Sequence, residues 1–241
     1  MDRVATGIPG LDKLIQGGIP IGSSVLVSGG AGTGKTIFST QYIYEGAKQF
    51  DEPGLLVTLE GNVKNISWNM ENFNWDIKSL QDKQLMKIYR LNLDNLRYTK
   101  SVEEQVDFIN KELETISEMV KEMGATRLVV DSTTALAVWI KEHNAMRGIL
   151  YRFTNSLKDF GCTTLMTAET KSGKKTEFSA YGVEEFVADG VIALYFSSPN
   201  RSVFVRKMRG TNHSKKIHPF EITSNAVEIR YKDEIMWESI K

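Results

Sequence analysis

The sequence predicts an α/β fold: a mainly parallel, twisted sheet with helices on both faces. Short apolar runs alternate with helix-compatible segments along most of the chain, each unit closing through a short loop, which is the pattern of a parallel sheet. A glycine-rich loop joins one of the earliest runs to the helix-compatible segment after it. Late in the chain two strand-like runs flank Ser198-Pro199-Asn200-Arg201, so a C-terminal antiparallel hairpin is expected to extend the sheet. With 241 residues, the stretch 1–241 is long enough to form one such domain and need not be split.

Taken in order, Thr6-Gly7-Ile8-Pro9-Gly10-Leu11-Asp12 and Gly17-Gly18-Ile19-Pro20 make a turn-rich entry. Residues 24–28 are apolar and rich in β-branched side chains, so a buried strand is expected there. Gly29-Gly30-Ala31-Gly32-Thr33-Gly34-Lys35-Thr36 follows, and then a helix over 37–48. Residues 55–59 form a second strand ending on Glu60, residues 63–73 a helix, and 85–93 a return strand. Ser101 and Glu104 have capping-box spacing. Val106, Ile109, Leu113, Ile116 and Val120 then recur at three- and four-residue steps, which predicts an amphipathic helix closed by Gly124. A third strand over 127–131 ends on Asp131. A helix over 146–160 closes at Gly161, and a strand over 163–169 follows. Residues 170–182, with Lys171, Lys174 and Lys175, are expected to be a mobile polar loop. The strands 191–196 and 202–208 complete the chain's regular elements. Trp68, Trp75, Trp139 and Trp237 are not grouped with basic residues, so all four are expected to pack rather than to stack on a ligand.

Composition narrows the function. Lys+Arg and Asp+Glu both number 30, so the formal net charge is zero and the basic excess of most phosphate-gripping nucleic-acid binders is absent. The one cysteine, Cys162, lies in an apolar run and is expected to be a packed, reduced thiol. No apolar stretch approaches a membrane span, and Met1-Asp2-Arg3 opens no secretory signal; the expected compartment is the cytoplasm.

The glycine-rich loop fits G-x-x-x-x-G-K-[ST] at every fixed position, in the strand–loop–helix setting that gives the motif meaning. Its glycines let Gly29, Gly30, Ala31, Gly32, Thr33 and Gly34 curl so that successive amides meet phosphate oxygens, and the helix N-terminus adds partial positive charge. Lys35 is expected on the β- and γ-phosphates, and Thr36 on Mg²⁺. The alternative, a glycine-rich turn matching by chance, does not account for both flanks. Asp131 ends a buried strand, where open α/β sheets gather ligand groups, and is expected to hold Mg²⁺ through a water. The competing reading of Asp131 is an ordinary turn cap. Glu60 also ends a strand and could orient or deprotonate the water that attacks the γ-phosphate; from position alone a solvated loop acid explains it equally well.

These motifs together resemble the RecA superfamily of phosphate-loop ATPases, and within it the KaiC-like branch. The resemblance covers nearly the whole chain. It rests on Thr6-Gly7-Ile8-Pro9-Gly10-Leu11-Asp12, the phosphate loop, Leu59-Glu60, Asn74-Trp75-Asp76 and Val130-Asp131-Ser132. More specific are Tyr181-Gly182-Val183-Glu184-Glu185-Phe186 and Lys207-Met208-Arg209-Gly210-Thr211-Asn212-His213. It implies a RecA-type core and an ATPase using ATP and Mg²⁺, assembled as a homo-oligomer, a hexameric ring with ATP between subunits. It further implies that Glu60 is the catalytic glutamate, that Lys207 and Arg209 act in trans on a neighbour's γ-phosphate, and that His213 lies near its ribose and base. Two departures matter. The family often has a pair of glutamates where this chain has Glu60-Gly61, which implies slow or differently tuned hydrolysis. The hydroxyl pair that some members phosphorylate is replaced by Glu185-Phe186.

Three function classes follow. The first is an oligomeric ATPase whose nucleotide state switches its assembly or a protein partner. The second is a recombinase paralogue of the RecA/RadA kind, touching single-stranded DNA through the loop 171–175; a salt-dependent shift of labelled DNA would mark it. The third is a slow-turnover nucleotide-binding scaffold, marked by ATP retention without phosphate release.

Overall fold

A computed structural model describes residues 2–138, 140, 142–170 and 176–236. Of the expected loop 170–182, residues 171–175 lie outside the described residues, as do Trp139 and Trp237. The elements in chain order are β1 (Arg3–Val4), α1 (Leu11–Leu14), β2 (Ile19–Pro20), β3 (Ser24–Gly29), α2 (Lys35–Phe50), β4 (Gly54–Thr58), α3 (Val63–Glu71), α4 (Ile77–Asp82), β5 (Met86–Arg90), α5 (Val102–Met123), β6 (Arg127–Asp131), α6 (His143–Ser156), β7 (Thr163–Glu169), α7 (Glu184–Val187), β8 (Gly190–Ser197), β9 (Asn200–Met208), β10 (Ile217–Ile222) and β11 (Val227–Ile229).

The large sheet runs β11-β10-β9-β8-β3-β7-β6-β4-β5. From β8 to β5 every neighbour is parallel, whereas β8, β9, β10 and β11 pair antiparallel. The expected architecture is therefore present, with the hairpin lengthened by β10 and β11. Alternation along the central strands feeds two cores. Val25, Val27, Leu56, Val129 and Leu165 face α2, α3 and α4, while Leu26, Leu55, Val57, Leu128, Val130 and Met166 face α5 and α6.

Local sequence explains where the elements stop. Ser101 Oγ accepts from the Glu104 amide at 3.2 Å, but the Glu104 carboxylate reaches back to the Lys100 amide at 2.6 Å rather than to Ser101. The cap holds one residue further out than a standard capping box. Ile109, Leu113, Ile116 and Val120 are buried as expected, and Gly124 ends α5 at φ 61°. On α3 the buried face is Ile66 and Met70, four residues apart, which leaves Trp68 on the opposite side and 64% exposed. The packing expectation is thus corrected for Trp68. It holds for Trp75, which stacks on Tyr44 and donates its indole N–H to the Asn225 carbonyl at 2.8 Å. Cys162 is buried, and burial pushes its thiol up to about 11, in keeping with an inert packed group. Among the described residues no helix is long and apolar enough to cross a membrane.

Candidate active site

The carboxyl ends of β3, β4, β6 and β7 converge on one cavity of about 560 Å³. Its wall includes Lys35, Thr36, Glu60, Asp131, Glu169 and Arg201. The glycine-rich loop forms its floor. Gly34 caps α2 at φ 98° with no side-chain bond to the helix amides, and a Cβ there would lie 2.8 Å from Ile222 Cδ1. Only glycine combines that φ with that close approach. The amides from Ala31 to Thr36 donate to no described residue. A run of unpaired N–H groups at a helix N-terminus is an anion site.

Lys35 folds back over the loop, donating to the carbonyls of Gly29 and Gly30, both at 3.0 Å, with Glu169 Oε1 3.9 Å away. Burial holds its ammonium below the usual lysine range, against the opposing pull of Glu169, Asp131 and Glu60. A phosphate on the loop would supply the counter-charge that these carbonyls replace only in part. Lys35→Ala is accordingly expected to abolish tight ATP binding, since it removes a fixed side-chain cation from the β- and γ-phosphates. A calorimetric titration checks this, and an unchanged affinity would remove the loop from the site.

Thr36 donates to Asp131 Oδ2 at 2.8 Å, and Thr167 donates to the other Asp131 oxygen. A hydroxyl beside a carboxylate is a hard-oxygen pair that suits Mg²⁺. Ser132 Oγ donates to Glu60 Oε1 at 2.8 Å, which fixes the exposed Glu60 carboxylate over the cavity. Glu60 stands past the end of β4, in a turn that the Gly61 amide closes by donating to Thr58 Oγ1 at 2.8 Å. A Cβ at Gly61 would lie 2.8 Å from Ile66 Cδ1 and 2.9 Å from Thr58 Oγ1, so a second acid here would have to displace the ends of those two side chains.

Three participants were not singled out from the sequence. Arg201, read there as a turn residue, belongs to β9; its guanidinium lies over the Phe196 ring at 4.5 Å and donates to the Gly32 carbonyl at 3.3 Å. Glu169 ends a buried strand as Asp131 does, and the same strand-end logic points to it. Thr167 sits inside an apolar run and carries no sequence signal.

Lys207 and Arg209 do not line this cavity. Lys207 Nζ donates to the carbonyls of Glu185 and Ala188 at 2.7 and 2.6 Å, at the C-terminal end of α7. Arg209 pairs with Asp189 at 2.9 Å, and Lys158 reaches the same Asp189 oxygen at 3.3 Å. Burial and then the Arg209 charge hold Lys207 below its usual range. Burial alone would raise the Asp189 carboxyl, but the Ser24 amide and Lys158 outweigh it and hold it low. Lys158 and Arg209 thus share Asp189, Lys207 rests beside them on backbone carbonyls, and the Glu185 carboxylate is bonded to Ser179. His213 is half-buried, with Nδ1 2.8 Å from the Ser214 carbonyl, and it too stands apart from the cavity.

A family model described as "ATPase: KaiC" matches residues 4–234. The chain is 36% identical over 242 residues to a UPF0273 protein of Pyrococcus horikoshii, covering 97% of this chain and 96% of that one. It is 36% identical to the circadian clock oscillator protein KaiC of Synechococcus elongatus, over 94% of this chain but 44% of the clock protein. The crystal structure of a KaiC-like protein from Pyrococcus horikoshii superposes with a TM-score of 0.81 at 38% identity, covering 95% of this chain and 98% of that one. The chain belongs to the KaiC family of ATPases, with that family's RecA-type fold.

Proposed function

We propose that this chain is a Mg²⁺-dependent ATPase, one domain over 1–241, working in the cytoplasm as a homo-oligomeric ring whose sites lie between subunits. The observation that carries the reading is the uncapped N-terminus of α2. Its unpaired amides stand between Lys35, the Thr36–Asp131 pair and the Glu60 carboxylate. Amides, Lys35 and Arg201 bind and orient the triphosphate. Thr36 and Asp131 hold Mg²⁺, which neutralises charge on the β- and γ-oxygens when bound. Glu60, steadied by Ser132, orients the attacking water and takes its proton. The cation cluster of Lys158, Lys207 and Arg209 has positive charge in excess, and it lies outside the chain's own cavity. By the family resemblance carried by the stretch from Lys207 to His213, Lys207 and Arg209 serve the γ-phosphate bound to an adjacent copy, with His213 beside that nucleotide's ribose and base. Turnover is slow, since Glu60 has no acidic neighbour at Gly61. Nucleotide state is read out as assembly or as binding of a protein partner.

Native mass measured with and without MgATP, beside phosphate release, tests this reading. A nucleotide-dependent ring that releases phosphate is expected. A monomer releasing phosphate at an unchanged rate on dilution would contradict the shared site.

A further inference from the structure

Glu184 is fully buried, yet its carboxyl makes one hydrogen bond among the described residues. Oε1 lies 3.1 Å from Thr133 Oγ1, and Oε2 has no partner. A buried carboxyl so poorly served costs stability relative to an apolar side chain of similar size, so packing alone does not account for it.

Its neighbours on both sides belong to the shared site. One residue on, the Glu185 carbonyl accepts from Lys207, as does that of Ala188, and Asp189 pairs with Arg209. On the inner side, Thr133 follows two residues of the chain's own site: Asp131, which faces Thr36, and Ser132, which holds Glu60. The Thr133 hydroxyl also lies 3.1 Å from the Thr167 carbonyl, and Thr167 bonds to Asp131. A hydroxyl has one hydrogen to donate. Thr133 faces two acceptors, the Thr167 carbonyl and Glu184, and serves one at a time. One of the two acceptors is therefore unserved at any time, so a shift of either is felt at Thr133, next to Ser132 and Asp131.

We propose that Glu184 is a positioning residue that couples the two ends of each subunit: when Lys207 and Arg209 engage a neighbour's nucleotide, α7 moves with Lys207, and the Glu184–Thr133 contact resets the turn that holds Glu60. Hydrolysis in one site thereby conditions the next one around the ring. The inference rests on the shared-site reading above.

Glu184→Met tests it in the full-length protein, because a same-length apolar side chain fits a buried place without loss of fold. With the link cut, kcat should fall about tenfold, in the range typical of residues that support a reacting group. The Hill coefficient of phosphate release against ATP should fall to one. Melting temperature should hold or rise, and ring mass and MgATP affinity should stay as in the wild type. Thr133→Val should lower kcat and the Hill coefficient in the same way, with a lower melting temperature because it strips the buried Glu184 carboxyl of its partner. The double variant should be kinetically no worse than either single one, since both break one link. Thr133→Ser, which restores the hydroxyl, should restore both kcat and the Hill coefficient. Wild-type kinetics in Glu184→Met would assign Glu184 to packing and overturn the proposal. So would a wild-type ring that hydrolyses ATP with a Hill coefficient of one. A wild-type protein that releases no phosphate would overturn the shared-site reading itself.

Discussion

Arg209→Ala is expected to slow phosphate release by roughly 10³–10⁵-fold, the range for a cation delivered to the γ-phosphate by another subunit. The effect is large because charge spreads onto the equatorial oxygens in the transition state, and a fixed cation there needs no reorganisation at the moment of reaction. The fold should survive the change. Arg209 is exposed, and its partner Asp189 keeps Lys158 together with the Ser24 amide and hydroxyl. MgATP affinity should change little, since the loop amides, Lys35 and Arg201 are untouched. Multiple-turnover phosphate release, with calorimetry as the control for binding, reads the outcome. A rate within a few-fold of the wild type would leave Arg209 as a surface partner of Asp189.

Glu60→Gln is expected to bind MgATP as the wild type does and to hydrolyse it ~10²–10⁴-fold more slowly. The amide keeps the shape and can still accept the Ser132 hydroxyl, whose bond to Glu60 is 2.8 Å. It cannot take a proton from water. Single-turnover phosphate release separates this chemical step from product release. An unchanged rate would move the proton acceptor elsewhere, and Glu169 is the next carboxylate on the cavity wall.

Much of this site is legible before any coordinates. The loop's spacing, the strand-end position of Asp131 and the apolar runs of the central strands depend on local periodicity, and local periodicity survives folding. Other parts depend on what the sheet brings together. β10 carries Pro219, which in a linear reading argues against a strand; it pairs with β9 and β11 all the same. Arg201 follows a Ser-Pro-Asn turn signal and reads as part of the turn. Its role comes from the antiparallel return of β9 alongside β8, which sets it beside Gly32. Trp68 shows the limit of composition: a large apolar ring is usually covered, but helical phase turns this one outward. Glu184 had family resemblance to mark it but no signal that its carboxyl would be buried against Thr133, because that contact joins segments far apart in the chain.

In the proposed ring each site is assembled from two copies, with Glu60 from one and Arg209 from the other. Mixing Glu60→Gln and Arg209→Ala separates a shared site from a self-contained one. Each pure ring is expected to be nearly inactive, and both should still bind MgATP. In a mixed ring an Arg209→Ala subunit keeps its own Glu60 and can sit beside a Glu60→Gln subunit that supplies an intact Arg209, so phosphate release should partly return. If native mass shows mixed rings and they remain as inactive as the pure variants, Glu60 and Arg209 do not meet across an interface, and the shared site is wrong.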